Sequence, residues 1–561
     1  FFQPTWEEGS REFDRNWLET WYDRQMTRTW TSTLNYTLST KNHALNAVAG
    51  YETIRFDFHA LQGRTDDYPI EKEFYRYLNG GLGEQTNIGR GTEYALISYF
   101  SKADYQFLDR YLVSGTIRRD ATSRMGSEDN SGIFPAFSVG WRLSEESFMQ
   151  PLSWLSELKI RYNWGRQGNQ EIGDFATYTY YTAGAQQFSY YDIQGTNTST
   201  QPGYKIDVLG NENVEWETTT QNNMGIDFAA FKNRLNLSLE YFNKVTDGIL
   251  MNPRLIGVMG EGRPPWVNAG NMENRGIEAN LNYKDQVGKL DYDLSFNFTS
   301  YNNKVTDLGD ETYLINDEGT GNRTMVGEPH AIFYGWVADG LFESLEELKG
   351  HADQGLYDEG ATDEELKKFL GRIKYRDLND DSVINEEDRK IIGNPHPDFS
   401  FGGNFSFQYK NWDLSMHVMG VYGNDIYNTL KALTDFTTWN FNYGESTLDA
   451  WRQDNQDTQI PKVSRSDYND EKRPSTYFIE DGSYLKVKNI VLGYSLPKNL
   501  IGLSKIDKLR IYVQAQNLIK LTGYSGLDPE VGPTNQSDAF GIDTQLTPHP
   551  TILTGGINLT F

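Results

Sequence analysis

LDYDLSFNFT, residues 290–299, alternates apolar and polar side chains without exception. Leu290, Tyr292, Leu294, Phe296 and Phe298 fall on one side; Asp291, Asp293, Ser295, Asn297 and Thr299 fall on the other. Successive side chains of a β-strand point to opposite faces, so this stretch predicts a strand with one greasy and one wet side. The same reading applies to Leu235, Leu237, Leu239 and Tyr241 against Asn236, Ser238 and Glu240. It applies again to Ile277, Ala279, Leu281 and Tyr283 against Glu278, Asn280 and Asn282.

Outward from these runs, the connections alternate in length. Phe399 to Tyr409 and Trp412 to Tyr422 are joined only by Lys410-Asn411, a tight hairpin. Lys232-Asn233 and Lys284 to Gly288 are likewise short, whereas Thr306 to Glu328, Glu343 to Pro397 and Tyr422 to Asp481 are long and polar. Short turns on one side and long loops on the other match the two ends of an outer-membrane barrel. Loops of this length are foreign to a compact soluble domain. Alternation alone would also suit a soluble β-sandwich, β-helix or propeller, although no fixed repeat period marks the last two.

Composition favours the barrel. Only 37% of the 561 residues are hydrophobic, yet Tyr 35, Phe 30 and Trp 13 bring aromatics to 14%. Mean hydropathy is −0.65, and no stretch approaches the ~18 apolar residues of a membrane helix. A barrel wall reconciles these figures, because only alternate residues meet hydrocarbon and aromatic girdles gather at both interfaces. Cysteine is absent, which removes disulfides and thiolate metal sites. The net charge of −26 argues against nucleic-acid binding and points to acidic surface loops. The chain starts at Phe1 with no basic n-region and no apolar h-region, so export is expected to depend on sequence outside these residues.

Several segments resemble the SusC/RagA family of TonB-dependent transporters, in order and over nearly the whole length. They are RYLVSGTIRRDATSRMG (110–126), FPAFSVGWRLSEESFM (134–149), LKIRYNWGRQGNQEIGDF (158–175), NRGIEANLNY (274–283), SYLKVKNIVLGYSLP (483–497) and LRIYVQAQNLIKLTGYSGLDPEV (509–531). GRQGNQEIG is similar to the family's G-x-T-G-N-Q-x-I-G signature, with Arg166-Gln167 departing from it. At the end of the chain Ile557, Leu559 and Phe561 alternate with Asn558 and Thr560, which looks like the terminal signal read by the outer-membrane insertion machinery.

The resemblance implies an all-β, transmembrane antiparallel β-barrel in the cell outer membrane. Residues 1–561 would be its C-terminal part, with about 16 of roughly 22 strands, long extracellular loops and no plug domain. The last strand, Thr551 to Phe561, would pair with Leu509 to Gln516, and its other edge would face absent N-terminal strands. The implied function is TonB-dependent import of oligosaccharides or oligopeptides. The implied partners are a SusD-like surface lipoprotein, TonB acting through a plug region elsewhere, outer-membrane lipid and the missing strands. The alternative is a SusC-like barrel serving as a structural or assembly platform in an envelope complex.

No catalytic constellation stands out. The histidines at 43, 59, 330, 351, 396, 417 and 549 show no metal-ligand spacing, and no nucleophile elbow or phosphate loop occurs. One segment, DLNDDSVINEED (377–388), tracks the calcium-loop pattern D-x-[DN]-x-[DN]-G-x(5)-E. Asp377, Asn379 and Asp381 would supply side-chain oxygens, Val383 a carbonyl and Asp388 the closing carboxylate around a structural Ca2+, with Ile384 as the anchor. Ser382 replaces the turn glycine and Asp388 the usual longer Glu, so a solvated acidic turn is the other reading. Trp439, Tyr443 and Trp451 are candidates for stacking on sugar rings or, preferably, for the aromatic girdle or packing within the loops.

Overall fold

The computed structural model describes residues 2–8, 11–13, 15–126, 130–183, 190–192, 200–253, 262–358, 360–436, 438, 442–497, 506–532 and 540–561. Its main feature is a sixteen-stranded sheet in which each strand lies beside the next wall strand along the chain. Such a meander is what alternating short and long connections build. Two compact units divide the chain: Phe1–Val139 with Trp164–Thr220 and Asp247–Ala269, and Gly140–Asn163 with Gln221–Thr246 and Gly270–Phe561.

In the first unit the strands Trp17–Ser39, His43–Asp66 and Gln85–Phe107 are 23, 24 and 23 residues long. A tilted membrane crossing needs ~10 residues, so these strands continue well beyond hydrocarbon. They pair antiparallel in unbroken register from Trp17↔Asp66 to Ser39↔Ala44 and from Thr65↔Gln85 to His43↔Phe107. Along the next strand, Tyr111–Thr122, Val113 and Ile117 are exposed. The opposite face carries Arg118, which holds Asp120 at 2.7 Å and the Ser98 hydroxyl at 2.7 Å.

The second unit contains the alternating run LDYDLSFNFT. Asn271–Val287 and Leu290–Asp307 pair over their full length, and the turn between them shrinks to Gly288-Lys289. Gly288 adopts φ +64, where a side chain would be strained. Cross-strand neighbours then form one apolar belt: Leu281 opposite Phe296, Leu294 opposite Phe405, Phe405 opposite Met416, Met416 opposite Ile490. It continues through Leu492 opposite Val513 and Ile511 opposite Ile557. None of Leu290, Tyr292, Leu294, Phe296 and Phe298 is buried by protein, and Ile557, Leu559 and Phe561 are exposed.

This belt has the dimensions of a membrane. Trp412–Tyr422 is 11 residues long, with exposed aromatics at both ends. Ten steps of ~3.4 Å, tilted by about 40°, give a band about 25 Å tall. At the short-turn rim Trp412 packs on Tyr494 at 4.8 Å; at the long-loop rim Phe399 stacks on Tyr422 at 5.1 Å. The apolar face therefore meets lipid, and the two aromatic rims sit at its interfaces.

The terminal strand Ile552–Thr560 pairs with Lys508–Thr522 from Lys508↔Thr560 to Gln516↔Ile552. It is the last strand of the sheet order, and among the described residues its other edge pairs with nothing.

Candidate functional site

The face opposite the lipid belt is built from the polar half of the same alternation. Asn282 reaches Asp293 at 2.6 Å and Ser295 at 2.8 Å; Asn404 meets His417 at 2.8 Å; Asp413 grips Arg510 at 2.9 and 2.5 Å. Lys159 and Arg161 converge on Asp227 at 2.7 and 3.3 Å, and Arg161 also contacts Glu240. A recess of about 470 Å3 lies here, lined by Asp227, Ser238, Asn280, Asn282, Asn297 and Asn404 among others. Amides, hydroxyls and paired charges offer hydrogen bonds without fixing one partner, which suits a surface that solutes pass.

Above the long-loop rim, the described residues of the connections 308–398, 423–483 and 523–551 fold together. Their shared core contains Phe333, Trp336, Ile373, Tyr375, Tyr427, Phe478 and Ile542, all at or below 8% exposure. It is the largest buried apolar cluster among the described residues, so the loops rather than the wall hold the water-excluding core. Arg372 and Glu471, 3% and 2% exposed, form an ion pair of 2.8 Å. Glu471 also accepts from the Ile373 N–H at 2.8 Å, and Arg372 donates to the Lys462 carbonyl at 2.6 Å. Burial pushes the Glu471 carboxyl up despite the adjacent guanidinium. A cavity of about 770 Å3 opens beside this core, with Lys431, Asp435, Tyr477 and Glu480 among its polar lining.

A second lock ties the loop after Lys508–Thr522 to the wall. Lys486, on Tyr484–Ser495, contacts Asp528 and reaches Glu530 at 2.6 Å, while Lys488 holds Glu530 at 2.8 Å. Burial raises the Asp528 carboxyl, but the hydrogen bond and charge of Lys486 together with the Glu530 and His549 N–H groups outweigh it and hold the group well below the usual carboxylate range. Asp528, Glu530 and His549 are the one trio among the described residues with metal-ligand atoms within 4.8 Å of one another. Two lysines already neutralise its carboxylates, which makes it an ion-pair lock and not a metal centre. Lys486 and Lys488 lie in LKVKN, and Asp528 and Glu530 in GLDPEV, within two of the segments that carry the family resemblance.

The expected calcium loop is compact and docked on the loop core. Asp377 accepts from the N–H groups of Asp380 and Ser382, both at 2.8 Å. Asp381 accepts from Val383 N–H at 2.8 Å and from the Asn379 amide at 3.0 Å. Asp388 is fully buried and accepts from Leu378 and Asn385 N–H, both at 2.8 Å. Ser382 takes φ 67, the left-handed turn that the pattern assigns to glycine. Ile384 is buried in the core, and Val383 bridges to Asp353. The ligand atoms of Asp377, Asp381 and Asp388 do not gather within 4.8 Å of one another, and the loop closes on its own N–H groups; its oxygens are hard donors of the type a divalent cation such as Ca2+ takes.

Other singled-out residues fall into place individually. Trp451 is buried at 4% in the loop core, Tyr443 is exposed, and Trp439 lies outside the described residues. In the first unit, Gly168 of GRQGNQEIG lies beneath Phe134, where a Cβ would come within 2.1 Å of the ring. Asp174, two residues beyond Ile172, binds Arg124 at 2.7 Å and Thr92 at 2.5 Å, so two of the resemblance segments meet there.

Comparison with known proteins follows the same lines. A family model described as TonB dependent receptor-like, beta-barrel matches residues 2–518. TonB-dependent receptor P3 of Formosa agariphila is 28% identical over 544 residues, covering 94% of this chain and 52% of that protein. TonB-dependent receptor SusC of Bacteroides thetaiotaomicron is 30% identical over 494 residues, covering 86% and 45%. The chain thus spans about half the length of the curated relatives it matches. Among solved structures, the RagAB peptide transporter superposes with a TM-score of 0.81 at 23% identity, over 98% of this chain and 56% of that one. That likeness is one of fold.

Proposed function

The chain belongs to the TonB-dependent receptor-like β-barrel family, a family of outer-membrane transporters rather than enzymes, and on that premise we propose that the whole protein imports an oligomeric nutrient. The observation that carries this reading is the co-folded loop core standing over a wall with a polar inner face. A passive pore needs no such core; a receptor that captures large cargo does.

Residues 1–561 form part of the wall, and further strands together with a plug complete it. A SusD-like lipoprotein meets the loop side and TonB acts through the plug. A relative named SusC and the fold likeness to a peptide importer are in keeping with oligosaccharides or oligopeptides as cargo. A Ca2+ ion held by Asp377, Asn379, Asp381, the Val383 carbonyl and Asp388 stiffens the loop core.

Uptake tests the reading directly. Cells carrying the full-length protein should accumulate labelled oligosaccharide or oligopeptide, lose this on deletion of TonB, and yield an acylated surface lipoprotein with the tagged protein. Uptake that persists without TonB, or a tagged protein that purifies with no lipoprotein and no cargo, would refute it.

A further inference from the structure

Four short strands of the loop region, Tyr313–Asp317, Asn322–Met325, Ile332–Gly335 and Lys390–Gly393, form a sheet in chain order. Phe333 points from it into the loop core. On the other face Tyr313, Arg323 and Tyr334 alternate, and beyond the sheet the series continues through Arg389 and Arg473 to Trp336 and Tyr375 of the loop core. Arg323 lies 4.9 Å from the Tyr313 ring and 4.6 Å from that of Tyr334. Arg389 follows, 5.7 Å from Tyr334 and 5.0 Å from Trp336. Arg473 ends the series, 5.1 Å from Trp336 and 4.7 Å from Tyr375. The ladder runs from Tyr313, 42% exposed, to Tyr375, wholly buried.

Its charges are not matched evenly. Arg389 contacts Glu386, and Arg473 has Asp470 at 3.5 Å with two backbone carbonyls. Arg323 has no acidic partner and no side-chain hydrogen bond among the described residues, and its Nε is shielded from water. Only 9% of Arg323 is exposed, in a chain with 78 acidic residues. Burial, and then the like charge of Arg323, hold the Arg389 guanidinium below its usual value, so the two cations feel each other. Stacking satisfies guanidinium faces, but the N–H edge of a buried arginine still calls for an acceptor. An oxyanion completes that geometry, since a guanidinium fork matches carboxylate, sulfate or phosphate.

We propose that Arg323 is an anion-recognition point in the loop region, taking a carboxylate or sulfate borne on oligomeric cargo, with the exposed Tyr313 ring as the stacking surface beside it. This narrows the import reading, on which it rests, to acidic cargo. Purified full-length protein would be titrated calorimetrically with oligogalacturonate, a sulfated oligosaccharide, a glutamate-rich peptide, a neutral malto-oligosaccharide and inorganic sulfate. The expected result is that at least one acidic oligomer binds, more tightly than the neutral one and than sulfate alone. Arg323→Gln should weaken that binding by about tenfold or more, Arg323→Lys by less and Tyr313→Ala by less. The oligomer that binds best distinguishes uronate, sulfate ester and peptide carboxylate as the source.

Tyr313→Ala removes an exposed ring and keeps the fold testable if Arg323→Gln proves unstable. Unchanged acidic-oligomer binding in Arg323→Gln, inorganic sulfate binding as tightly as the oligomers, or equal binding of neutral and acidic oligomers would each overturn the proposal. Failure of energised uptake in cells, with in vitro binding intact, would count against the import reading alone.

Discussion

Lys486 shows how much one side chain can carry. It is 3% exposed and is held between Asp528 and Glu530, with Lys488 sharing the second carboxylate. Removing one partner of a buried pair leaves an uncompensated charge, a loss of about 3–5 kcal/mol. Lys486→Met should therefore lower the melting temperature and open residues 523–532 to protease. The double change Lys486→Met with Asp528→Asn should recover part of the loss, and a double-mutant cycle measures that recovery. His396 supplies a pH dependence. Burial lowers its pKa to about 4, and its Nε2 donates to the His330 carbonyl at 2.8 Å. The unfolded chain takes up that proton near 6.5 and the folded one only near 4, so stability is whole above 6.5 and falls as pH drops towards 4. The melting temperature should fall between pH 7 and pH 5, and His396→Gln, which keeps a donor, should flatten the curve.

At the scale of elements, legibility follows sequence distance. The strands were readable because their signal is local: LDYDLSFNFT states its two faces within ten residues, and the observed register keeps them. The hairpin at Lys410-Asn411 was equally plain, with Tyr409 paired to Trp412. The loop core was not readable, since Phe333, Tyr427 and Ile542 come from three separate connections and share no period. Strand length was also hidden, because the first half of Trp17–Ser39, with Asp23, Arg24 and Gln25 in succession, does not keep the alternation. The calcium loop lies between these cases. Its motif is local, but its anchorage is tertiary: Ile384 in the core and the Asn385 carbonyl bonded to Trp336 Nε1 at 2.9 Å. If the loop holds Ca2+, chelation should lower the melting temperature and readdition restore it, with Asp377→Asn abolishing the response. Equal melting with and without Ca2+ would leave an acidic turn closed by its own backbone.

For the whole molecule, the decisive feature is an unpaired edge. Among the described residues, Ile552–Thr560 bonds to Lys508–Thr522 on one side, and at the other end of the sheet order Trp17–Ser39 is met, beyond His43–Asp66, only by the two residues Phe2–Gln3. In a nine-residue strand about half the residues aim both N–H and C=O at the free edge, roughly 8–10 groups. Each costs several kcal/mol in hydrocarbon, so the sum exceeds the ~5–15 kcal/mol that holds a folded domain together. An apolar belt that faces lipid and an edge that cannot do so require more wall. Residues 1–561 expressed alone with an export signal should therefore give no heat-modifiable species on cold gels and no protease-resistant barrel. Supplying the rest of the wall, in the same chain or from a second plasmid, should restore both. Because the chain has no cysteine, the pair Val513→Cys and Gly555→Cys, placed opposite each other in the observed register, reports the terminal pairing. It should cross-link only when the wall is complete. A heat-modifiable barrel from residues 1–561 alone, with that cross-link formed, would mean that the two edges close on each other.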